Sequence, residues 1–231
     1  MKVVQFFARE GATIVAVDLP EPDSPAAQAI RAISPEVQYQ KLDISSEDGV
    51  KAFYQYIKQS VGTVDILVNN AGIILGKPLG DTTLEDWDRL HSVNGRGTFM
   101  MMRGVLAVIN KQSGSVVNIS SGAAIRPLVN LGAYSASKAA INALTKAAAY
   151  ELAPVRFNVI CPGPIDTPMP RKAVEKLDQV GRDKVFSDLA SVRALKRLGL
   201  PEEVASVVLF LASDEASYVT GMEFNIDGGK P

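Results

Sequence analysis

The stretch Ser115–Lys138, SVVNISSGAAIRPLVNLGAYSASK, opens with a short apolar run, Val116 to Ile119, set between Gly114 and Gly122. Such a run bounded by turn residues predicts a buried strand, and it leaves Ser121 just past the strand's carboxyl end. Ala133 to Leu152 then predicts one helix, because alanine, which recurs through it, is the strongest helix former. Tyr134 and Lys138 stand four apart near its start, so their side chains share one face.

A Tyr and a Lys at that spacing decorate many solvated helices, and the pair alone decides nothing. Beside a serine delivered by a strand end, the pair points to chemistry on an oxygen. A phenol titrates near about 10, and a neighbouring ammonium lowers that value by roughly 1 to 3 units. Tyr134 is therefore expected to exchange a proton near neutral pH, while the Ser121 hydroxyl holds a carbonyl or alcohol oxygen beside the phenol. The implied reaction moves a proton at that oxygen as something leaves the attached carbon.

On either side, the chain alternates helices with strands. Val3, Phe6 and Phe7 fall at helical spacing and predict a helix ending at Gly11, followed by a buried strand, Thr13 to Val17, that ends in Asp18. An alternative takes Lys2 to Phe7 as a strand, with no helix before Thr13. Ala26 to Ile33 predicts a short helix, Val37 to Leu42 a strand, Ser46 to Ser60 an amphipathic helix, and Val64 to Val68 a largely apolar strand. Thr83 and Asp86 are spaced as a capping box that starts a helix to about Val108, with a bend expected at Gly95 and Gly97. Strands are also expected at Phe157 to Ile160 and Met222 to Ile226, with a helix from Pro201 through the run Val204 to Ala212. Apolar strands alternating with helices imply a parallel sheet buried on both faces. The expected fold is α/β, a doubly wound Rossmann-type sheet in a single domain over residues 1–231.

With 231 residues and 47% hydrophobic composition the chain can bury a substantial core. A formal net charge of -1 supplies no basic field for nucleic acid. Cys161 is the only cysteine, which excludes an internal disulfide and suits a reducing compartment. No apolar run reaches the length of a membrane span, and the stretch Val3 to Ala8 is too short and polar for a signal peptide. A soluble cytoplasmic protein is expected.

Ser121, Tyr134 and Lys138, together with NISS at Asn118–Ser121, NNAG at Asn69–Gly72 and CPGPIDTPM at Cys161–Met169, resemble the short-chain dehydrogenase/reductase family from about Ala8 to Gly229. The resemblance implies an NAD(P)-dependent oxidoreductase exchanging hydride with a secondary alcohol or ketone, without a metal. In that reading Tyr134 exchanges the proton, Ser121 orients the oxygen, and Lys138 lowers the Tyr134 pKa and holds the nicotinamide ribose. Asn94 anchors a relay water through its backbone carbonyl. Asp43 and Ile44 lie along the adenine, Asn70, Ala71 and Gly72 line the cofactor site, and Ile165 and Thr167 meet the nicotinamide end. Residues 168–197, with Arg171, Lys172 and Arg182 among their charges, form a substrate lid. Asp18, accepting from a ribose and repelling a 2′-phosphate, favours NAD over NADP. The helix face with Ala139, Ala140, Ala143 and Ala147, beside the helix containing Asn94, resembles the family's dimer-forming bundle and implies a homodimer or homotetramer.

Other residues read as structural. His91 has no role in the family and is expected at the surface or an interface, Trp87 is a packing residue, and Cys161 is a small core residue. Two departures stand out. Gly95 replaces a branched apolar residue. The family's first strand and its Thr-Gly turn, which would feed the first helix, have no counterpart here. Losing about four buried aliphatic side chains, at ~1.5 to 3 kcal/mol each, rivals a typical stability of ~5 to 15 kcal/mol. Losing two phosphate-binding amides weakens dinucleotide binding by roughly a hundredfold. Two rival functions follow: a 3-oxoacyl thioester reductase using NADPH, and a non-catalytic truncated subunit acting through dimerisation.

Overall fold

A computed structural model describes residues 1–175 and 177–229. Lys176, within the expected lid, lies outside the described residues. The chain begins with helix α1, Lys2–Arg9, which ends where Gly11 takes φ +78°, a left-handed conformation that costs a glycine little. The alternative strand over Lys2 to Phe7 is thereby corrected: Val3 and Phe7 turn together into an apolar cluster, as helical spacing requires.

Strand β1, Ile14–Asp18, helix α2, Pro25–Arg31, strand β2, Val37–Lys41, and helix α3, Glu47–Ser60, follow. Ser46 caps α3 by accepting from the Gly49 amide, and Val50, Tyr54 and Ile57 bury one helix face. Strand β3, Ile66–Asn69, is shorter than the predicted run, because Val64 pairs instead with Ile109 in an isolated bridge. Helix α4, Leu84–Leu90, starts at the expected capping box of Thr83 and Asp86. A π-helical segment, His91–Gly97, joins it to α5, Thr98–Val105, so the bend expected at the two glycines is a change of ladder register. Strand β4, Ser115–Ile119, short helix α6, Gly122–Ile125, the long helix α7, Gly132–Glu151, and strand β5, Arg156–Pro162, supply the centre. Helices α8, Pro168–Ala173, α9, Gln179–Ser191, and α10, Pro201–Ala212, precede strand β6, Glu223–Ile226.

All strand pairs are parallel, and each strand is followed by a helix or loop that crosses back over a face. The fold is the expected Rossmann-like α/β type. The strands form two ladders, β1-β2 and β3-β4-β5-β6, and no main-chain pairing joins β1 to β3 among the described residues. Helices cover both faces of the two ladders together. On one face Val15, Val17 and Leu67 pack with α3 and α5 side chains such as Tyr54, Met101 and Val105. On the other, Ile14, Ile66 and Val68 pack with Phe7 of α1 and Val208 and Leu211 of α10.

Candidate active site

The carboxyl ends of the strands carry most of the candidate residues, while Tyr134 and Lys138 lie on α7 and Asn94 in the π-helical segment. Asp18 closes β1, Asn69 closes β3 ahead of Asn70, Ala71 and Gly72, Ser121 follows β4, and Pro162 ends β5 ahead of Ile165 and Thr167. In open α/β folds ligands bind along this edge, outside the strand ends.

At its centre, β4 and α7 bring Ser121, Tyr134 and Lys138 together. Tyr134 is 7% exposed and Lys138 4%, so neither decorates a solvated helix face. The Ser121 hydroxyl is hydrogen-bonded to the Tyr134 phenol and also accepts from the Ala123 amide at 3.1 Å, which fixes it at the start of α6. Lys138 Nζ donates to the Ile119 carbonyl at 3.0 Å, tying α7 back to the end of β4. Gly72 makes room for that lysine: a Cβ there would sit 3.0 Å from Lys138 Nζ and 3.1 Å from Asn94 Oδ1.

Electrostatics correct one expectation. Burial pushes the Tyr134 phenol above its usual value, the Ser121 hydrogen bond opposes the shift, and the lowering expected from Lys138 is not what this geometry produces. The ammonium is turned to a carbonyl rather than to the phenol. Lys138 itself is pushed down to about 8 by burial, against the influence of Cys161, which places its proton exchange close to neutrality.

Asn94 is fully buried in the π-helical segment. Its Oδ1 accepts from the Ile73 amide at 2.9 Å, and its Nδ2 donates to the Ile73 carbonyl and to Ser137 Oγ, both at 2.9 Å. Ser137 Oγ donates in turn to the Tyr134 carbonyl at 2.7 Å. The loop after β3, the π-helical segment and the start of α7 are thus clamped by one side chain. Ser137 and Ser120, whose hydroxyl donates to the Lys138 carbonyl at 3.0 Å, are positioning residues that the sequence reading missed. Their only signal was adjacency to Lys138 and Ser121.

The other half of the edge is more open. Asp18 is exposed and accepts from the Leu19 amide at 2.7 Å. Asp43 accepts from the Ser45 amide at 2.9 Å and the Ser45 hydroxyl at 2.7 Å, shaping the turn into α3, while Ile44 packs against Gly97. Ile165 bridges to Gly199 and borders a cleft of about 80 Å³ that also involves Pro164, Leu195 and Asp227. Trp87, which is exposed, and the half-buried His91 stack with 3.9 Å between their ring centroids. Cys161 is fully buried in the core. Among the described residues no three His, Cys, Asp or Glu side chains gather to hold a metal ion, and no helix is long and apolar enough to cross a membrane.

The residues fit a dinucleotide at two of its three parts. The Asp18 carboxylate at the end of β1 and the Asp43 carboxylate just past β2 would accept from the hydroxyls of a bound adenosine, and the buried Tyr134–Lys138 pair beside Gly72 would hold the nicotinamide end. A glycine-rich turn for the pyrophosphate is not among the described residues.

A parallel α/β fold presenting a buried tyrosine, lysine and serine at one strand-end crevice defines a dinucleotide-dependent oxidoreductase. The chain belongs to the short-chain dehydrogenase/reductase family. The family model described as enoyl-(acyl carrier protein) reductase matches residues 1–230. A 3-oxoacyl-(acyl-carrier-protein) reductase of Thermotoga maritima is 41% identical over 228 residues, covering 96% of this chain and 89% of that protein. Cyclopentanol dehydrogenase of a Comamonas species is 38% identical over 226 residues, 96% of this chain and 88% of the relative. The crystal structure of levodione reductase superposes with a TM-score of 0.91 at 35% identity, covering 98% of this chain and 91% of that one. The expected function therefore stands: an oxidoreductase of CH–OH groups, exchanging hydride between a nicotinamide dinucleotide and a small alcohol or ketone.

Proposed function

We propose that the chain is an NAD-dependent dehydrogenase or reductase of a secondary alcohol or ketone, with Tyr134 as the proton-exchanging residue. The observation behind this reading is the buried Ser121–Tyr134 hydrogen bond beside Lys138 at the end of β4. When bound, the nicotinamide supplies or accepts hydride at the substrate carbon. Ser121 holds the substrate oxygen and Tyr134 gives or takes its proton. Lys138, poised to exchange a proton near neutrality, binds the nicotinamide ribose and passes the proton on, and Asn94 holds the relay geometry. Asp43 and Ile44 flank the adenine, Asn70, Ala71 and Gly72 form the floor, and Ile165 and Thr167 meet the nicotinamide. Asp18 selects NAD, because its exposed carboxylate suits ribose hydroxyls and repels a 2′-phosphate.

The protein is read as one domain over residues 1–231, cytoplasmic, with residues 168–197 as the lid. Exposed Ala143, Ala147 and Tyr150 on α7 and Phe99 on α5 support pairing with further copies as a dimer or tetramer. The parted ladders support the reading that these residues lack the family's first strand and glycine-rich turn. They also favour a second function, a non-catalytic subunit that pairs with complete relatives. The 41% identical acyl-carrier-protein reductase favours a third, reduction of a 3-oxoacyl thioester with NADPH, against which Asp18 stands.

Titration of purified residues 1–231 with NADH and with NADPH, followed by nucleotide fluorescence, separates the three, with turnover tested on secondary alcohols and on a 3-oxoacyl thioester. Saturable micromolar NADH binding with alcohol turnover is expected. Preference for NADPH and the thioester contradicts the NAD reading, and a folded protein that binds neither nucleotide leaves the subunit reading.

A further inference from the structure

On the proposed placement of adenine along Ile44 and of proton exchange at Tyr134, we infer that Gly97 is a positioning residue through which the adenosine end of the nucleotide and the proton-exchanging centre act on one another. Gly97 is the last residue of the π-helical segment, with φ -60° and ψ -50°, helical angles that any residue adopts. What demands glycine there is closeness. A Cβ would stand 2.9 Å from Ile44 Cδ1, 3.0 Å from Ile44 Cγ1 and 3.2 Å from the Ile44 carbonyl oxygen. One of those atoms is main chain, so a side chain at position 97 displaces either the segment or the turn that carries Ile44. Gly95, on the same segment, is under no such constraint, since its Cβ would lie 4.0 Å from the Ser137 carbonyl, an ordinary contact. Arg96 adds a second tie to the turn, its Nη2 donating to the Ser45 carbonyl at 3.3 Å.

The same segment grips the reacting centre. Asn94, three residues before Gly97, holds the Ile73 amide, the Ile73 carbonyl and Ser137 Oγ, each at 2.9 Å. Ser137 Oγ donates to the Tyr134 carbonyl at 2.7 Å, and Asn94 Oδ1 and Lys138 Nζ crowd the same point beside Gly72. One stretch of seven residues therefore leans on Ile44 and clamps the start of α7. Close-packed interiors pass a displacement on rather than absorb it, and Asn94 is fully buried. A ligand that pins Ile44 thus steadies Asn94, and by linkage a change at Asn94 is felt at Ile44. The chemical consequence is that adenosine, remote from the reacting carbon, contributes binding energy to the alignment of the proton-exchanging groups.

The test uses purified residues 1–231 with isotope-labelled asparagine, and adenosine monophosphate as the probe. The readouts are the Asn94 side-chain amide resonance, identified by its loss in Asn94→Asp, probe binding by calorimetry, and ketone turnover at saturating NADH. In the unaltered protein the probe should shift the Asn94 resonance saturably. Gly97→Ala should move that resonance without ligand and should weaken probe binding and lower turnover by about tenfold each. Gly95→Ala, the same change two residues away, should leave all three within about twofold. Adding Ile44→Ala to Gly97→Ala removes Cδ1 and Cγ1 and should recover most of the turnover but not the probe affinity, a departure from additivity that a merely weakened fold does not give. A probe that binds and leaves Asn94 unmoved overturns the inference, as do equal losses in Gly95→Ala and Gly97→Ala, or two substitutions whose losses simply add. If Gly97→Ala does not fold, Ile44→Ala alone decides: the bound probe should no longer shift Asn94, and an undiminished shift overturns the coupling. A folded protein that does not bind the probe also overturns it, and ketone turnover by the same sample shows whether the dehydrogenase reading falls with it.

Discussion

Strands β4 and β5 are paired on both edges and buried along nearly their whole length, whereas β1 and β3 each pair on one edge and stay half-exposed from end to end. The groups proposed for proton chemistry hang from the closed part: Ser121 follows β4, and α7, with Tyr134 and Lys138, packs on β5. The carboxylates proposed for adenosine binding hang from the open part, Asp18 at the end of β1 and Asp43 just beyond β2. The difference separates two requirements of one enzyme. The groups proposed to react are fixed within tight packing, while the carboxylates proposed for the nucleotide hang from a ladder that pairs on fewer edges.

The largest effect expected from the closed part is chemical. Tyr134→Phe keeps the ring packing and removes the exchanging proton, so turnover should fall by about 10² to 10⁴ with NADH affinity nearly unchanged, as kcat and nucleotide titration together report. A fall of less than tenfold breaks the assignment.

Next comes packing, which compares the two parts directly. Ile160→Ala in β5, where the side chain is fully buried, should cost about 2 to 5 kcal/mol in urea unfolding. Val17→Ala in β1 should cost less than about 1 kcal/mol, because its surroundings are half open. Equal costs would mean that the open ladder is as tightly held as the closed one.

Lys138→Met joins stability to pH. The folded lysine loses its proton at about 8 while the unfolded one holds it to about 10.5, so the unfolded chain binds more protons across that window and stability rises with pH through it. The variant should lose that rise and, near neutral pH, gain on the order of 1 to 3 kcal/mol, offset in part by the orphaned Ile119 carbonyl. Its turnover should fall, and the wild-type increase in alcohol oxidation as pH passes about 8 should flatten.

The smallest effect belongs to the open part. Asp18→Ser should shift the NADH-to-NADPH preference towards NADPH by about tenfold, equal to ~1.4 kcal/mol, read as the ratio of dissociation constants. An unchanged ratio removes Asp18 from the cofactor site.

Local patterns carried most of this architecture in the sequence. Apolar runs marked the strands within a residue or two, Thr83 and Asp86 set a helix start, and Ser121, Tyr134 and Lys138 were readable because strand end and helix start place them together. What depended on distant neighbours was not readable. Gly95 and Gly97 announced a bend, but a π register is set by which carbonyl each amide reaches. The raised Tyr134 and lowered Lys138 values arise from burial by the surrounding fold, which spacing along α7 does not reveal. Ser137 and Ser120 act through main-chain carbonyls, a role that any serine in the sequence could have had.

The central claim is that this chain itself transfers hydride at the Ser121–Tyr134–Lys138 centre. Incubating purified residues 1–231 with C4-deuterated NADH and a panel of small ketones, with mass analysis of the carbinol products, tests it most directly. Deuterium at the carbinol carbon from one face of the nicotinamide, reduced at least a hundredfold in Tyr134→Phe, is the predicted result. A folded protein that binds NADH yet leaves every ketone unlabelled, or labels it equally well without the Tyr134 hydroxyl, would contradict it.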